Sequence, residues 1–500
     1  MIAAVGSPQA PNAKRDNGLN SAAGKRMDPK KTYRHWFLFV FGLATLLRFS
    51  LVLFNREAND AHEEVARLII ETGKLPQRDD CWECFQPKLY HLTFAGMLDT
   101  LGMAKSPAYQ QNIVGQFVNF IAGTITLIIV YLFLRELTEF HDKLKLIAFS
   151  LVALNPALIG INSQATNDTF VILFSTLAVF FCYGFLKYER KRDLVYCSLF
   201  VILGISSKTN AWVTFIAILM ALLLWTFYQG QHTRNLKFTL VFLFSVIAFS
   251  IINPLNQYIP NTRNFGTPIL LNIDRDPFPH FSGEYAAKAS GVWYTRDFLT
   301  FKFFDLLKHP RLDIKTTVHL PQQTSFWTVI YARAHSIHFD NAPPSWSTTG
   351  DAIFPLLRFQ YILALIPTAL LLVGAVRELF CLSSSAIKKE VTAIQTNSYG
   401  LFVLLFFGYL AFQVLYSFQY RSVTVIKAIF LLPALLSFPV FFMKAARDLY
   451  SLVSRINQRW VVYLIDSGFV ALLALYVIDV TILVIHLAGI YIQRHPNLLA

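Results

Sequence analysis

Apolar runs of about twenty residues recur along this chain, and HWFLFVFGLATLLRFSLVLF (35–54) is the first. A run of that length, wound as a helix at ~1.5 Å per residue, spans the ~30 Å hydrocarbon core of a bilayer. No water reaches that core, so the helix must satisfy its own backbone groups. The rest of the composition agrees. Only 15% of residues are charged, where a soluble chain carries about 25%. Mean hydropathy is +0.46. We count about eleven spans: 36–54, 112–134, 144–161, 169–186, 194–206, 210–228, 237–253, 354–376, 399–417, 424–443 and 461–490. The predicted fold class is an all-α polytopic membrane protein with two long extracytoplasmic loops, 55–111 and 254–353, that carry short amphipathic helices. Residues 1–31 are polar and read as a disordered cytoplasmic tail. They hold no apolar core with a cleavage site, so the first span is expected to stay as an anchor. The transmembrane domain is then 32–500.

The net charge of +14 would suggest nucleic acid in a soluble protein. Here the basic residues cluster between spans. KKTYR (30–34), RELTEFHDKLK (135–145), KYERKRD (187–193) and KAARDLYSLVSRINQR (444–459) fall on one side by alternation. The positive-inside rule makes that side cytoplasmic. Both long loops then face outward, with the short connections 162–168, 206–210 and 417–427.

The first outer loop opens with ANDAHEE (58–64). DAHEEVARLIIETGKLP (60–76) reads as a short amphipathic helix with Val65, Leu68 and Ile69 at helical spacing and Gly73 as C-cap. One account of its acids is structural: Asp60 as N-cap and Glu63 three residues on, a capping box. The other is chemical, because a carboxylate at the end of a span can act as a base.

An acid after the first span, a helix ending ETGKLP and then CFQPKLYH (84–91) resembles the first outer loop of GT-C-type glycosyltransferases. These integral-membrane enzymes take sugars from polyprenyl-phosphate or dolichyl-phosphate carriers. They include protein O-mannosyltransferases and lipid A aminoarabinose transferases. The family pattern looks like QPPLYY, and this chain has Gln86, Pro87, Lys88, Leu89, Tyr90 and His91. Lys88 stands where a second proline is usual, and Ala61 stands where a Glu often follows the first acid. The resemblance implies Asp60 as general base, with His62 and Glu63 as second choices that orient it or hold a metal. It also brings Gln86, Tyr90 and His91 to the substrate. A divalent metal remains open as a way to take the leaving charge, and no complete ligand set is legible.

NPALIGINSQATND (155–168) delivers Asn167 and Asp168 to the outer surface, an arrangement similar to bacterial members of the same superfamily. The alternative is an ordinary turn with Asp168 as N-cap. Lys208, in GISSKTNAW, sits at the outer end of a hairpin of spans, either snorkelling to headgroups or holding a lipid phosphate. Arg421 and Lys427, in QYRSVTVIKAIFLLPALL, reach the same face. Three cations on an otherwise sparsely charged side suit a phosphate clamp.

The loop 254–353 has no pattern we can place. GVWYTRDFLTFKFFDLL (291–307) has the order of an interfacial helix. Trp327, Tyr331, Arg333, His335 and His338 suit sugar stacking or a membrane belt. His335-x-x-His338 needs further ligands to be a metal site. Cys81 and Cys84 form a CxxC, read as a disulfide, a zinc site or free thiols. No nucleotide-binding glycine loop or serine nucleophile elbow is present.

The reading is a glycosyltransferase that moves a sugar from a polyprenyl- or dolichyl-phosphate carrier to a glycan, lipid or protein acceptor. It is expected in a bacterial inner membrane, with the endoplasmic reticulum as the alternative. The rival is a transporter or flippase of lipid-linked glycans. Transporters place ionisable groups near the midplane, whereas these carboxylates gather at one water-exposed end.

Overall fold

A computed structural model describes residues 29–228, 232–270, 299–310, 321–337, 343, 345–346, 351–388, 393–420, 425–455 and 459–494. Every regular element among them is helical. In chain order they are α1 (Pro29–Phe54), α2 (His62–Thr72), α3 (Leu89–Thr100), α4 (Ala108–Glu136), α5 (Asp142–Ala153), α6 (Pro156–Ile161), α7 (Asp168–Tyr188), α8 (Lys191–Ser207), α9 (Trp212–Tyr228), α10 (His232–Ile252), α11 (Tyr258–Phe265), α12 (Phe303–Lys308), α13 (Phe326–His335), α14 (Phe354–Lys388), α15 (Ala393–Tyr420), α16 (Ser437–Arg455) and α17 (Arg459–Arg494). A 3₁₀ segment, Ala428–Ala434, precedes α16.

Among the described residues, 8 helices are long and apolar enough to cross a membrane, or up to 9 if a bent pair counts as one span. The protein is a multi-pass integral membrane protein. Eleven continuous spans are not found among the described residues. The stretch 144–161 divides into α5 and α6, because Asn155 caps α6 by accepting from the Leu158 amide at 3.0 Å and Pro156 occupies the first helical position. Arg48, buried in α1, donates to the Ala153 carbonyl left at the break, at 2.9 Å. α8 has 17 residues, about 26 Å at the helical rise. The stretch 424–443 bends by 81° between the 3₁₀ segment and α16.

Contacts sort the helix ends onto two faces. On one, the Lys88 amide donates to the Leu255 carbonyl (2.9 Å), Asn253 donates to Ser206 (2.8 Å) and Arg494 lies 3.7 Å from Glu57. On the other, Lys187 donates to the Glu136 carbonyl (2.8 Å), Lys143 pairs with Asp466 (2.5 Å) and Lys444 with Glu378 (2.6 Å). The two long loops therefore share a face, opposite the basic connections, as alternation requires. Residues 1–28 of the tail and 291–298 of the expected interfacial helix lie outside the described residues.

The first long loop has a core of its own. Val65, Ala66 and Ile69 of α2 pack with Tyr90, Phe94 and Leu98 of α3 against Val114 and Val118 of α4. Gly73 ends α2 at φ 62°, and its amide donates to the Ile69 carbonyl, a left-handed cap that glycine adopts without strain.

α14 and α16 cross at Gly374, where a Cβ would fall on the carbonyl oxygen of Phe441. Gly374→Ala must push two spans apart, and overpacking of this kind costs about 1–3 kcal/mol. Thermal unfolding in detergent should show a lower midpoint for Gly374→Ala and none of that loss for Gly42→Ala, which has nothing within 4 Å.

Candidate functional site

α1 ends below a cleft lined by Asn59, Asp60, His62, Gln164, Thr166, Asp168, Arg333 and Lys427, with Ile161, Ala428 and Ile429 among its apolar walls. Four separate stretches meet there: the turn before α2, the connection between α6 and α7, α13, and the residues leading into the 3₁₀ segment. Asp60 does not cap α2. The N-cap residue is Ala61, and no side chain caps it. The Asn59 amide donates to the Asp60 carboxylate at 3.1 Å. The capping-box account of Asp60 and Glu63 therefore fails, because the helix starts one residue later than that pattern needs.

Asp168 is not a side-chain cap either. α7 has Asn167 at its N-cap position without a side-chain cap bond. Asp168 instead accepts from Lys208 Nζ at 2.6 Å and from the Thr166 hydroxyl at 3.2 Å. The Lys208 side chain is 14% exposed and that of Asp168 is 9% exposed, so the lysine does not snorkel. Asn167 donates to the Ser207 carbonyl (3.3 Å), which closes α7 against the end of α8. Asn119 of α4 donates to the carbonyls of Gln164 and Thr166, both at 2.6 Å, and fixes the wall between them. Lys208 and Lys427 share the ring of Phe430, at 5.3 and 5.9 Å from its centroid, within cation–π range.

Arg333 is the cation that the sequence reading did not place with the clamp. It is 2% exposed and donates to the Ile426 carbonyl at 2.6 Å. Nothing in its aromatic neighbourhood marks it as a site residue. Arg421 lies outside the described residues.

His62 lines the cleft and shares a hydrogen bond with His91, Nδ1 to Nε2, at 2.9 Å. Burial pushes the His62 imidazole down to about 4, with Asp60 pulling the other way and Lys208 pushing further down. His91 is held well below the ordinary range by burial and then by His62. Both rings are neutral at pH 7, one N–H serving both.

The other expected loop residues do not line the cleft. Burial raises the Glu63 carboxyl, whose charge bears on Tyr90. Tyr90 is buried in the loop core, and His91 reaches the cleft only through His62. The Gln86 carbonyl accepts from Lys88 Nζ at 2.8 Å. Cys81 and Cys84 are joined, with S–S 2.03 Å. His335 bonds Tyr476 (2.5 Å) and Thr368 (2.8 Å), and His338 lies outside the described residues. No group of three metal-ligating side chains occurs among the described residues.

Beside the cleft lies an apolar cavity of about 480 Å³. Its walls include Leu158 of α6, Ile330, Tyr331 and Ala334 of α13, and Leu431 of the 3₁₀ segment. Those same three elements supply Ile161, Arg333, Ala428 and Ile429 to the cleft.

A family model described as dolichyl-phosphate-mannose-protein mannosyltransferase matches residues 110–255. The chain resembles the GT-C glycosyltransferases. The matched segment holds Asp168 and Lys208 and begins after Asp60. No curated protein matches the chain. Among solved structures, a Saccharomyces cerevisiae Pmt1-Pmt2 protein O-mannosyltransferase complex bound to its sugar donor overlaps 44% of this chain and 33% of that chain, at 14% identity and TM-score 0.34. AglB, the oligosaccharyltransferase of Archaeoglobus fulgidus, in complex with an inhibitory peptide and a dolichol-phosphate, overlaps 90% of this chain and 55% of that chain, at 12% identity and TM-score 0.45. ArnT of Cupriavidus metallidurans bound to undecaprenyl phosphate overlaps 84% and 79%, at 14% identity and TM-score 0.35. The chain thus spans about a third and about half of the first two.

The histidine pair makes the fold acid-sensitive. Between pH 6.5 and about 4 the unfolded chain takes a proton that native His62 refuses. Stability therefore falls as pH falls through that window, by up to about 1.4 kcal/mol per pH unit for each such histidine. In His62→Gln the decline of thermal midpoint from pH 7 to pH 4 should be shallower. An unchanged slope would mean that His62 is not the group responsible.

Proposed function

We propose that this protein is a glycosyltransferase that moves a sugar from a polyprenyl- or dolichyl-phosphate carrier to an acceptor hydroxyl or amine at the extracytoplasmic face. One observation carries the reading: a cleft lined by Asp60, Arg333 and Lys427, with Lys208 paired to its Asp168, is built on the same three elements as a large apolar cavity. A lipid-linked phosphosugar is amphiphilic in that same sense. Its chain suits the cavity and its phosphate suits Lys427, Arg333 and Lys208.

The chemistry follows from the residues. The acceptor attacks the anomeric carbon as Asp60 takes its proton. The bond from that carbon to the phosphate oxygen breaks, and its electron pair leaves with the carrier phosphate. Preorganised cations stabilise the charge that develops there. Lys208 arrives already desolvated and oriented by Asp168, so little reorganisation is left for the reaction.

The transporter reading would need ionisable groups along a path through the spans. Arg48 and Asp479 are buried in spans, but Arg48 donates to the Ala44 and Ala153 carbonyls. Asp479 accepts from Gln360 and the Ile337 amide. Both serve neighbouring elements and neither lines the cleft.

Incubation of the purified protein with a panel of lipid-phosphate sugars should release free carrier phosphate. Asp60→Asn should bind donor and lose about 10²–10⁴-fold in turnover. Lys427→Gln and Arg333→Gln should raise KM for donor. Translocation of intact donor across proteoliposomes, without release, would favour the transporter.

A further inference from the structure

Asn59, Asp60 and His62 of the first outer loop line the cleft. Asp60 is the base of the reaction proposed above, and Asn59 spends an amide N–H on it at 3.1 Å. His62 has no role yet. It is 2% exposed, and the edge of the Tyr90 ring packs on it with 5.8 Å between centroids. Asp60 acts on it through space, and no hydrogen bond joins the two among the described residues.

What His62 can do depends on which ring nitrogen carries the proton. That is set by the partner on the other side of the ring. His62 Nδ1 is bonded to His91 Nε2 at 2.9 Å. His91 is fully buried, and its Nδ1 makes no complete hydrogen bond. The backbone group that bears on His91 is that of Pro87, just ahead of α3. Proline has no N–H, so that group is a carbonyl and can only accept. A nitrogen lone pair turned to a carbonyl oxygen is repelled. The His91 proton therefore sits on Nδ1, and its Nε2 carries the lone pair. His62 must then donate from Nδ1. A neutral imidazole has one N–H, so His62 Nε2 is a bare lone pair, and it has no partner among the described residues. Proton order runs from the Pro87 carbonyl through His91 to the cleft.

Such a lone pair binds only a hydrogen donor. The phosphodiester oxygens of a lipid-linked sugar are acceptors, and the carrier chain is apolar. The attacking group of the acceptor gives its proton to Asp60. The hydroxyls of the sugar remain. Asn59 and Gln164 are less selective. Each spends one amide N–H, Gln164 on the Gly160 carbonyl at 3.4 Å, and keeps both an N–H and a carbonyl oxygen. We propose that His62 Nε2 accepts a hydrogen bond from one hydroxyl of the sugar being transferred, and that His91 is a positioning residue that holds His62 in the accepting tautomer. The inference rests on the function proposed above. A ligand without that hydroxyl leaves a buried acceptor unpaired and is discriminated against.

Two measurements test this. Nitrogen NMR of the histidine side chains, with His62 identified by the signals lost in His62→Phe, should show Nδ1 protonated and Nε2 bare in donor-free protein. A protonated Nε2 overturns the proposal, whatever the variants do. Equilibrium binding then compares dolichyl-phosphate mannose and dolichyl-phosphate glucose with their monodeoxy analogues. For the sugar that binds, wild type should hold one analogue about tenfold or more weakly than the parent. In His62→Phe that analogue and its parent should bind alike. His91→Phe releases the His62 tautomer and should shrink the discrimination. His91→Gln, whose side-chain carbonyl can again accept from Nδ1, should restore it. A packing role for either histidine moves parent and analogue together, and that result overturns the proposal. Failure of wild type to bind either parent donor, with the tautomer as expected, refutes the proposed function and removes the ligand on which this inference depends.

Discussion

The Lys208–Asp168 pair is the contact on which the site is hung. It joins the last turn of α8 to the first residue of α7 at 2.6 Å, nearly out of water. Both charges also match the helix termini they occupy: a carboxylate at an N-terminus and an ammonium at a C-terminus. Removing one partner of such a pair leaves an uncompensated buried charge, at a cost of about 3–5 kcal/mol. The connection 162–168 inherits its position from this pair and from Asn119, and the cleft inherits its wall from the connection. Phe430 then carries the arrangement across to Lys427, since both lysines lie within reach of its ring.

A membrane site has two solvents, and this one is built at their boundary. The cleft collects polar groups from four distant stretches, whereas the cavity beside it is walled almost wholly by Leu, Ile, Ala, Phe and other apolar side chains. The two are linked because α6, α13 and the 3₁₀ segment each line both: Ile161, Arg333 and Ala428 at the cleft, Leu158, Ile330 and Leu431 at the cavity. Arg333 and Ile330 are three residues apart on α13, one in the cleft and one in the cavity. That juxtaposition is the feature on which the proposed amphiphilic donor rests.

Much of the fold was legible because hydropathy and Lys/Arg placement are averaged signals, tolerant of single errors. Single-residue roles were less so. The spacing of Asp60 and Glu63 fits a capping box, yet the backbone turns into α2 at Ala61, and sequence spacing does not report that angle. Asp60 was named from the family resemblance, and Asp168, Lys208 and Lys427 from their places at the outer ends of spans. Arg333 sits among Trp327, Tyr331 and His335, where one more polar side chain carries no signal.

Two stretches read as single spans, 144–161 and 424–443, do not form straight helices, whereas 194–206, read as a short span, lies within the continuous helix α8. Each of the two is interrupted at or near the face where the cleft lies: by Asn155-Pro156 ahead of α6 and by the 3₁₀ segment before α16. Irregular backbone is tolerated at membrane depth only where it is buried in protein or lines a cavity. The breaks meet that condition, since Ile161, Ala428 and Ile429 line the cleft and Lys208 grips Asp168 within it. A continuous helix at either of the two would carry its side chains past the cleft on a fixed period, with no free turn to aim them. The loss of two regular spans and the gain of a polar cleft are thus one structural event, and the irregularities in the hydropathy pattern mark where the cleft lies.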